Sequence, residues 1–252
     1  MIAQSKRYKV DLHIHTPASS CYEGLASGSI LPDTVRRQIV AVALDNALDA
    51  IAVCDHNSIE GLEDMRALAA NALRVFPATE ITARGGHVLA LFDLDTPADA
   101  VRDLLVALGL PEEHWGQGFR ESPLWVDEVC ARIAASGGVA IAAHADRQPR
   151  GFIASPEATE DKVRIYSSAY LSAIEITDPR RKPLWNQGRV PFYARPIACV
   201  QGSDAHSPAE VGRRPVYLDV PSLELAGVRL ALEEYQGRVR FPHELEPCQE
   251  SA

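Results

Sequence analysis

Residues 50–56 read Ala-Ile-Ala-Val-Cys-Asp-His, a run that is apolar at every position until it ends on an acid and a histidine. Successive side chains of a strand point to opposite faces, so a strand without polar alternation has both faces covered. Sheets built from βα units supply that cover, with helices on one side and close packing on the other. The same grammar recurs outward along the chain. Runs at 9–15, 75–81, 87–92, 139–144, 173–177 and 197–202 share it, and 216–220 supplies an eighth. Helical patterns separate the runs, which marks an α/β chain on a parallel sheet. Thr96-Pro97-Ala98-Asp99 reads as an N-cap, first-turn proline and capping-box acid before Val101, Leu104, Leu105 and Leu108, with Gly109 as the stop. Ser122-Pro123 reads as the opening of another helix, with Val126, Val129 and Ile133 on one face and Gly137-Gly138 closing it.

The 252 residues carry 25 basic and 34 acidic side chains, a formal net charge of −9, which opposes a general nucleic-acid-binding surface. With 46% hydrophobic and 23% charged residues, the composition is that of a globular protein. No repeat, low-complexity tract or linker divides it, so the expectation is one domain over 1–252, with a core at about 9–220 and a C-terminal helix and tail at 221–252. No stretch approaches the roughly 18 apolar residues of a membrane span, and the polar, basic start lacks an apolar region behind it. Cys21, Cys54, Cys130, Cys199 and Cys248 form no C-x-x-C pair, so a reduced, cytoplasmic protein is expected.

Six of the eight histidines lie at or beside the ends of these runs: His13, His15, His56, His87, His144 and His206. His13 and His15, two apart on a strand, share a face and can hold one ion together. With Glu80, Asp55 and Asp204 nearby in the pattern, this is the ligand inventory of a hydrolytic metal cluster rather than of a Cys-rich structural zinc site. Each group alone has a plainer reading as packing, capping or a satisfied partly buried histidine. Their joint placement at separate strand ends favours the cluster. His114 and His243 read as surface residues, and Cys54 and Cys199 as core.

His-x-His after the first strand, Asp-His after the second, Glu after the third, and Gly-Ser-Asp-Ala-His near the end make a pattern spanning 11–214. It resembles the polymerase and histidinol phosphatase (PHP) family of metal-dependent phosphoesterases. The resemblance implies a distorted seven-stranded (β/α)7 TIM-like barrel with two or three divalent ions (Zn, Mn or Fe) at its mouth. By the family pattern, His13, His15, Glu80 and Asp204 hold the first metal. Glu80 bridges to a second, held by His87 and His144, and a third uses His56 and His206. The family's further third-site ligand is an Asp or His shortly after His-x-His. Here residues 16–23 read Thr-Pro-Ala-Ser-Ser-Cys-Tyr-Glu, so the candidate is Cys21, with Glu23 behind it. A sulfur ligand favours Zn or Fe over Mg; the alternative is that Cys21 packs beneath its loop while Ser19, Ser20 or Glu23 offers an oxygen instead. Glu80, Asp204 and His206 are the implied catalytic residues.

Asp11 and Asp55 read as acids that fix a histidine tautomer, or in the case of Asp55 as a cap for a helix beginning near Ser58. Glu175 either lines the mouth or makes a structural hydrogen bond. The arginines beside the motifs are Arg84, Arg147, Arg150, Arg213 and Arg214; Arg147 and Arg213 are the favoured phosphate contacts, because both follow strand-end histidines. The long connections at 110–122 and 147–166 are the expected places for substrate contacts. The leading expectation is hydrolysis of a phosphorylated small metabolite or nucleotide by a metal-bridging hydroxide. The alternatives are a nuclease acting on nucleic-acid ends, and a non-catalytic metal-binding module of a larger ATPase-containing system. A membrane partner is not expected.

Overall fold

The computed structural model describes residues 5–25, 27–148 and 151–245. Apolar runs bounded by turn residues become strands, and amphipathic stretches between them cover the sheet. In chain order the first half holds β1 (Lys6–Ile14), α1 (Pro32–Asp45), β2 (Ala50–Val53), α2 (Leu62–Ala69), β3 (Arg74–Arg84), β4 (Gly86–Leu91), α3 (Ala98–Ala107), β5 (Ser122–Trp125) and α4 (Val126–Ala135). The second half holds β6 (Val139–Ala142), α5 (Thr159–Tyr166), β7 (Leu171–Glu175), α6 (Lys182–Asn186), β8 (Ala198–Val200), β9 (Val216–Val220), α7 (Leu225–Glu233), α8 (Tyr235–Arg238) and β10 (Val239–Arg240). All eight runs read from the sequence are strands. Every residue of β2 is fully buried, as its unbroken apolar run requires. On α1, Val35, Ile39, Val40 and Ala43 form the buried stripe.

The sheet follows the order β10-β9-β1-β2-β3-β4-β6-β7-β8, with β5 pairing to β3. The β1–β2, β2–β3, β6–β7 and β7–β8 pairs are parallel, as the βα reading expects. β4 departs from it. Gly85 and Gly86, both at positive φ, turn the chain back so that β3 and β4 pair antiparallel, with Thr82 opposite His87. Beyond β8 the chain returns to β1: the Asp204 N–H donates to His13 O at 2.7 Å, and the His15 N–H to Ala205 O at 2.9 Å. The result is a nearly closed barrel-shaped sheet. Its path counts nine strands rather than seven, because β9 and β10 add antiparallel beyond β1.

Two helix starts differ from the sequence reading. The N-cap of α3 is Pro97, not Thr96, and no side chain caps it. Its end is as expected: Gly109 takes φ 78° and lets the Leu110 N–H donate to Leu105 O. Ser122-Pro123 opens β5 rather than a helix: Ser122 pairs with Ala83 of β3, and its hydroxyl donates to Leu108 O at 2.6 Å. α4 starts at Val126, where the Glu128 carboxylate accepts the Trp125 N–H at 2.8 Å. No helix among the described residues is long and apolar enough to cross a membrane.

Candidate metal centre

The barrel topology delivers polar side chains to one mouth. β1 carries His13 and ends just before His15, Asp55 and His56 follow β2, His144 follows β6, Glu175 ends β7, and Asp204 and His206 follow β8. Because β4 runs antiparallel, its beginning lies at that mouth, and His87 is there. Glu80 sits within β3, bridged to His56.

Four donor atoms form one close group. His13 Nε2 lies 3.2 Å from His15 Nε2, 3.4 Å from Glu80 Oε2 and 3.3 Å from Asp204 Oδ1. His15 Nε2 lies 3.3 Å from Glu80 Oε2 and 3.1 Å from Asp204 Oδ1. Neighbouring ligands of a tetrahedral ion at about 2.0–2.2 Å stand roughly 3.3–3.6 Å apart, so this group matches an ion's shell. Two ring nitrogens at 3.2 Å also need a proton or a cation between them. The other oxygen of Glu80, Oε1, faces His87 Nδ1 at 2.8 Å and His144 Nε2 at 2.9 Å. His56 Nδ1 stands 3.0 Å from Glu80 Oε2, yet both atoms are buried without a hydrogen-bond partner. Unpartnered buried polar atoms of this kind are what a cation satisfies. His15, His56 and His206 make a further close group, as do His56, Glu80 and His87. The buried His, Glu and Asp groups thus fit a multi-metal site.

The electrostatics agree with a cation-seeking site. Burial opposes charge on Glu80, but His56, His87 and His13 hold its carboxyl well below the usual range. Burial likewise opposes charge on Asp204, and His13 and a hydrogen bond from His15 keep it ionised. Against the cost of burial, a bond to Asp204 and the adjacent Glu80 carboxylate raise His15 to about 9, and the charges of Glu175, Asp204 and Glu80 raise His13 well above its ordinary value. Those protons occupy positions a metal would take. Burial, with nearby His15, pushes His206 down to about 4, leaving it neutral.

Surrounding residues orient these rings. Glu175 Oε2 accepts from His13 Nδ1 at 3.0 Å and from the His144 N–H at 2.8 Å, leaving His13 Nε2 free for an ion. Its open reading in the sequence, mouth or structural bond, resolves as this ring contact. His15 Nδ1 contacts Ser19 Oγ at 3.1 Å, and Ser19 in turn donates to Asp55 at 2.7 Å. Asp55 touches no ring. It binds Thr16 and Ser19, and so holds the loop after β1. Asp11 likewise accepts from the backbone N–H groups of His13, Ser203 and Gly212, fixing the approach to Asp204 rather than a tautomer. His206 Nδ1 faces its neighbour's carbonyl, Asp204 O, at 3.0 Å, which points its Nε2 outward to Cys21 Sγ at 3.1 Å. Burial, then Glu80 and Asp204, push the Cys21 thiol up to about 11. Glu23 is exposed, and its N–H donates to His206 O at 3.0 Å. His144 and Asp204 both take positive φ, 31° and 52°, a backbone that no residue type announces.

Among the arginines, Arg147 donates to Asp204 Oδ2 at 2.5 Å. Arg213 and Arg214 converge on Ser203 O, and Arg213 also pairs with Glu210. Arg84 stacks on Trp125, 3.9 Å from the ring centroid. Arg150 lies outside the described residues, as does Cys248. Cys54 and Cys199 are fully buried core residues; His243 is exposed and His114 half-buried, both away from the donors. A cavity of about 630 Å³ opens over the donors, and both long connections line it, through Gly118, Phe119 and Glu121 on one side and Ser155, Pro156 and Glu157 on the other.

The sequence reading missed Asn57, and it offered Ser19 only as an oxygen in place of Cys21, not as the partner of the His15 ring. Asn57 donates to Gln117 O at 3.0 Å and Arg120 O at 2.8 Å and accepts from the Thr82 N–H, tying the 116–120 loop to the site. Its place directly after Asp-His was the available signal.

No family model matches the chain, and no curated protein matches it. Solved structures do. Endonuclease Q from Pyrococcus furiosus aligns with a TM-score of 0.70 at 17% identity, over 94% of this chain and 58% of that one. An amidohydrolase from Chromobacterium violaceum aligns at 0.55 and 16%, over 92% and 98%. A protein from Bifidobacterium adolescentis assigned as a metal-dependent phosphoesterase aligns at 0.52 and 18%, over 79% and 88%. At such identities the likeness is one of fold, and the chain spans 58% of the endonuclease Q chain. The chain thus shares its fold with these proteins and places a buried His, Glu and Asp donor cluster at the mouth of that fold.

Proposed function

We propose that this chain is a metal-dependent hydrolase cleaving a phosphate ester of a small metabolite or nucleotide. The observation that carries the reading is Glu80, a buried carboxylate with Oε2 toward His13, His15 and His56 and Oε1 toward His87 and His144. In this reading His13, His15, Glu80 and Asp204 hold one ion, Glu80, His87 and His144 a second, and His56, His206 and Cys21 a third. When bound, divalent Zn, Mn or Fe supplies Lewis acidity and the means to ionise water near neutral pH. Glu80, Asp204 and His206 are the residues assigned to the reacting centre. Arg147, which lines both the donor cavity and an adjoining one shared with Arg213 and Arg214, places positive charge where a phosphate enters. Arg213 supports it by holding Ser203 O.

In the same reading the chain is one domain over 1–252, with β1, β2, β3, β4, β6, β7 and β8 as the seven strands of a distorted (β/α)7 barrel. Free Cys54, Cys130 and Cys199 in the interior support a reduced, cytoplasmic setting. A second reading, cleavage of a nucleic-acid phosphodiester, is favoured by the fold shared with endonuclease Q. Net charge opposes it, and so does the fate of the basic run 179–183. There Lys182 is buried on Glu244 and Arg180 pairs with Asp178, so two of the run's three cations are already engaged. Elemental analysis of the purified protein, followed by phosphomonoesters, phosphodiesters and short DNA under the metal found, tests the reading. Chelator-sensitive turnover of small phosphate esters is expected. Turnover of DNA alone would install the second reading, and no turnover of any ester would overturn both.

A further inference from the structure

Phe119 is 73% exposed, and among the described residues it is the exposed large hydrophobic side chain that lines the donor cavity. Single exposed apolar residues are ordinary on a protein surface; one held over a site of metal donors is not. Its loop is fastened on both sides of it. The Gly116 N–H donates to His56 O at 2.8 Å, and Gly116 O accepts from the Ser20 N–H at 2.8 Å. Gln117 O and Arg120 O are held by Asn57, and Gly118 O accepts from the Thr82 hydroxyl at 3.0 Å. Gly118 lies so close to His56 that a Cβ there would stand 2.8 Å from the ring, which puts Phe119 one residue from a candidate ligand. The Arg120 guanidinium sits 5.3 Å from the Phe119 ring centroid. An aromatic ring in a fastened loop, paired with a guanidinium, is the arrangement that stacks a nucleobase while its phosphate is held nearby.

We propose that Phe119 is a specificity-determining residue: a stacking platform for the base of a nucleotide unit whose phosphate reaches the donor cluster. The proposal rests on the phosphoesterase reading and narrows its substrate to an ester carrying a nucleobase. The base lies against Phe119 beside Arg120, and Arg147, which lines the same cavity, meets the phosphate. A sugar phosphate lacking the base has nothing to place on the ring.

Equilibrium binding measured by calorimetry tests this without needing turnover. The probes are the non-hydrolysable 5′-methylenephosphonate analogues of AMP and ribose 5-phosphate, named below by their parent esters, on the full chain supplemented with Mn²⁺. The wild type is expected to prefer AMP by about 5- to 150-fold, the range that one base–aromatic stack supplies. Phe119→Ala should remove that preference while leaving ribose 5-phosphate affinity unchanged, and Phe119→Trp should retain it. Equal affinity of the wild type for both probes, or a preference that survives Phe119→Ala, would overturn the proposal. If the preference is intact but no ester is hydrolysed, the binding role of Phe119 stands and the hydrolytic reading fails. A third probe, a 5′-phosphorylated thymidine trinucleotide compared with TMP, separates the sources. Tighter binding of the trinucleotide assigns the base to a strand end, and equal binding to a free nucleotide; both keep the stacking role.

Discussion

Glu175 shows how a residue without a place in the family pattern governs those that have one. Its single oxygen Oε2 holds the His13 ring and the His144 backbone, joining the two halves of the donor cluster. Glu175→Ala should lower metal affinity about 10- to 100-fold, as loss of a ligand-orienting partner does, with Glu175→Gln losing less. Competition titration with a chromogenic chelator measures this, and unchanged affinity would show that the contact does not tune His13. At this scale the sequence showed where the histidines fall, because an apolar run ending in His is visible as text. It could not show which acid serves which ring. Asp55 adjoins His56 in sequence but points to Thr16 and Ser19 instead, and the tautomer partners of His13 and His15 come from Glu175 and Ser19.

At the scale of elements, the mouth depends on a loop that regular structure does not contain. Asn57 holds the 116–120 segment through two carbonyls and is itself fully buried. Asn57→Ala leaves those carbonyls without their donors and should cost about 1–3 kcal/mol, read as a lower thermal midpoint. It should also reduce the AMP preference, because the Phe119 loop loses its fastening. A wild-type melting curve together with wild-type preference would contradict this role. The strands were readable from their apolar runs and turn residues. The direction of β4 was not, since Gly85-Gly86 permits a reversal but an apolar run looks the same in either direction. The extent of the sheet was also hidden: β9 was seen as a run, but that it and β10 would join beyond β1 depends on pairing at long range.

For the whole molecule, charge linkage between the ions and the protons they displace sets the response to pH. His15 in the metal-free protein is raised to about 9 from 6.5 by Asp204 and Glu80 against the opposing effect of burial. A raised histidine contributes stability that is fully present below about pH 6.5 and is lost as pH rises through about 9. A metal must expel that proton, so affinity at the first site should rise at least about tenfold per pH unit from 6.5 toward 9. The gap in thermal midpoint between metal-bound and metal-free protein should widen over the same range. Differential scanning fluorimetry with and without chelator at pH 6.5, 7.5 and 8.5 measures it, and a gap independent of pH would exclude His15 as a ligand.

The bridging role of Glu80 is tested most directly by metal stoichiometry. Inductively coupled plasma mass spectrometry should find at least two divalent ions per wild-type chain, and Glu80→Ala should lose more than half of them, because one carboxylate serves two sites and its removal leaves neighbouring cations unshielded. Full metal content in Glu80→Ala, with turnover retained, would contradict a Glu80-bridged centre.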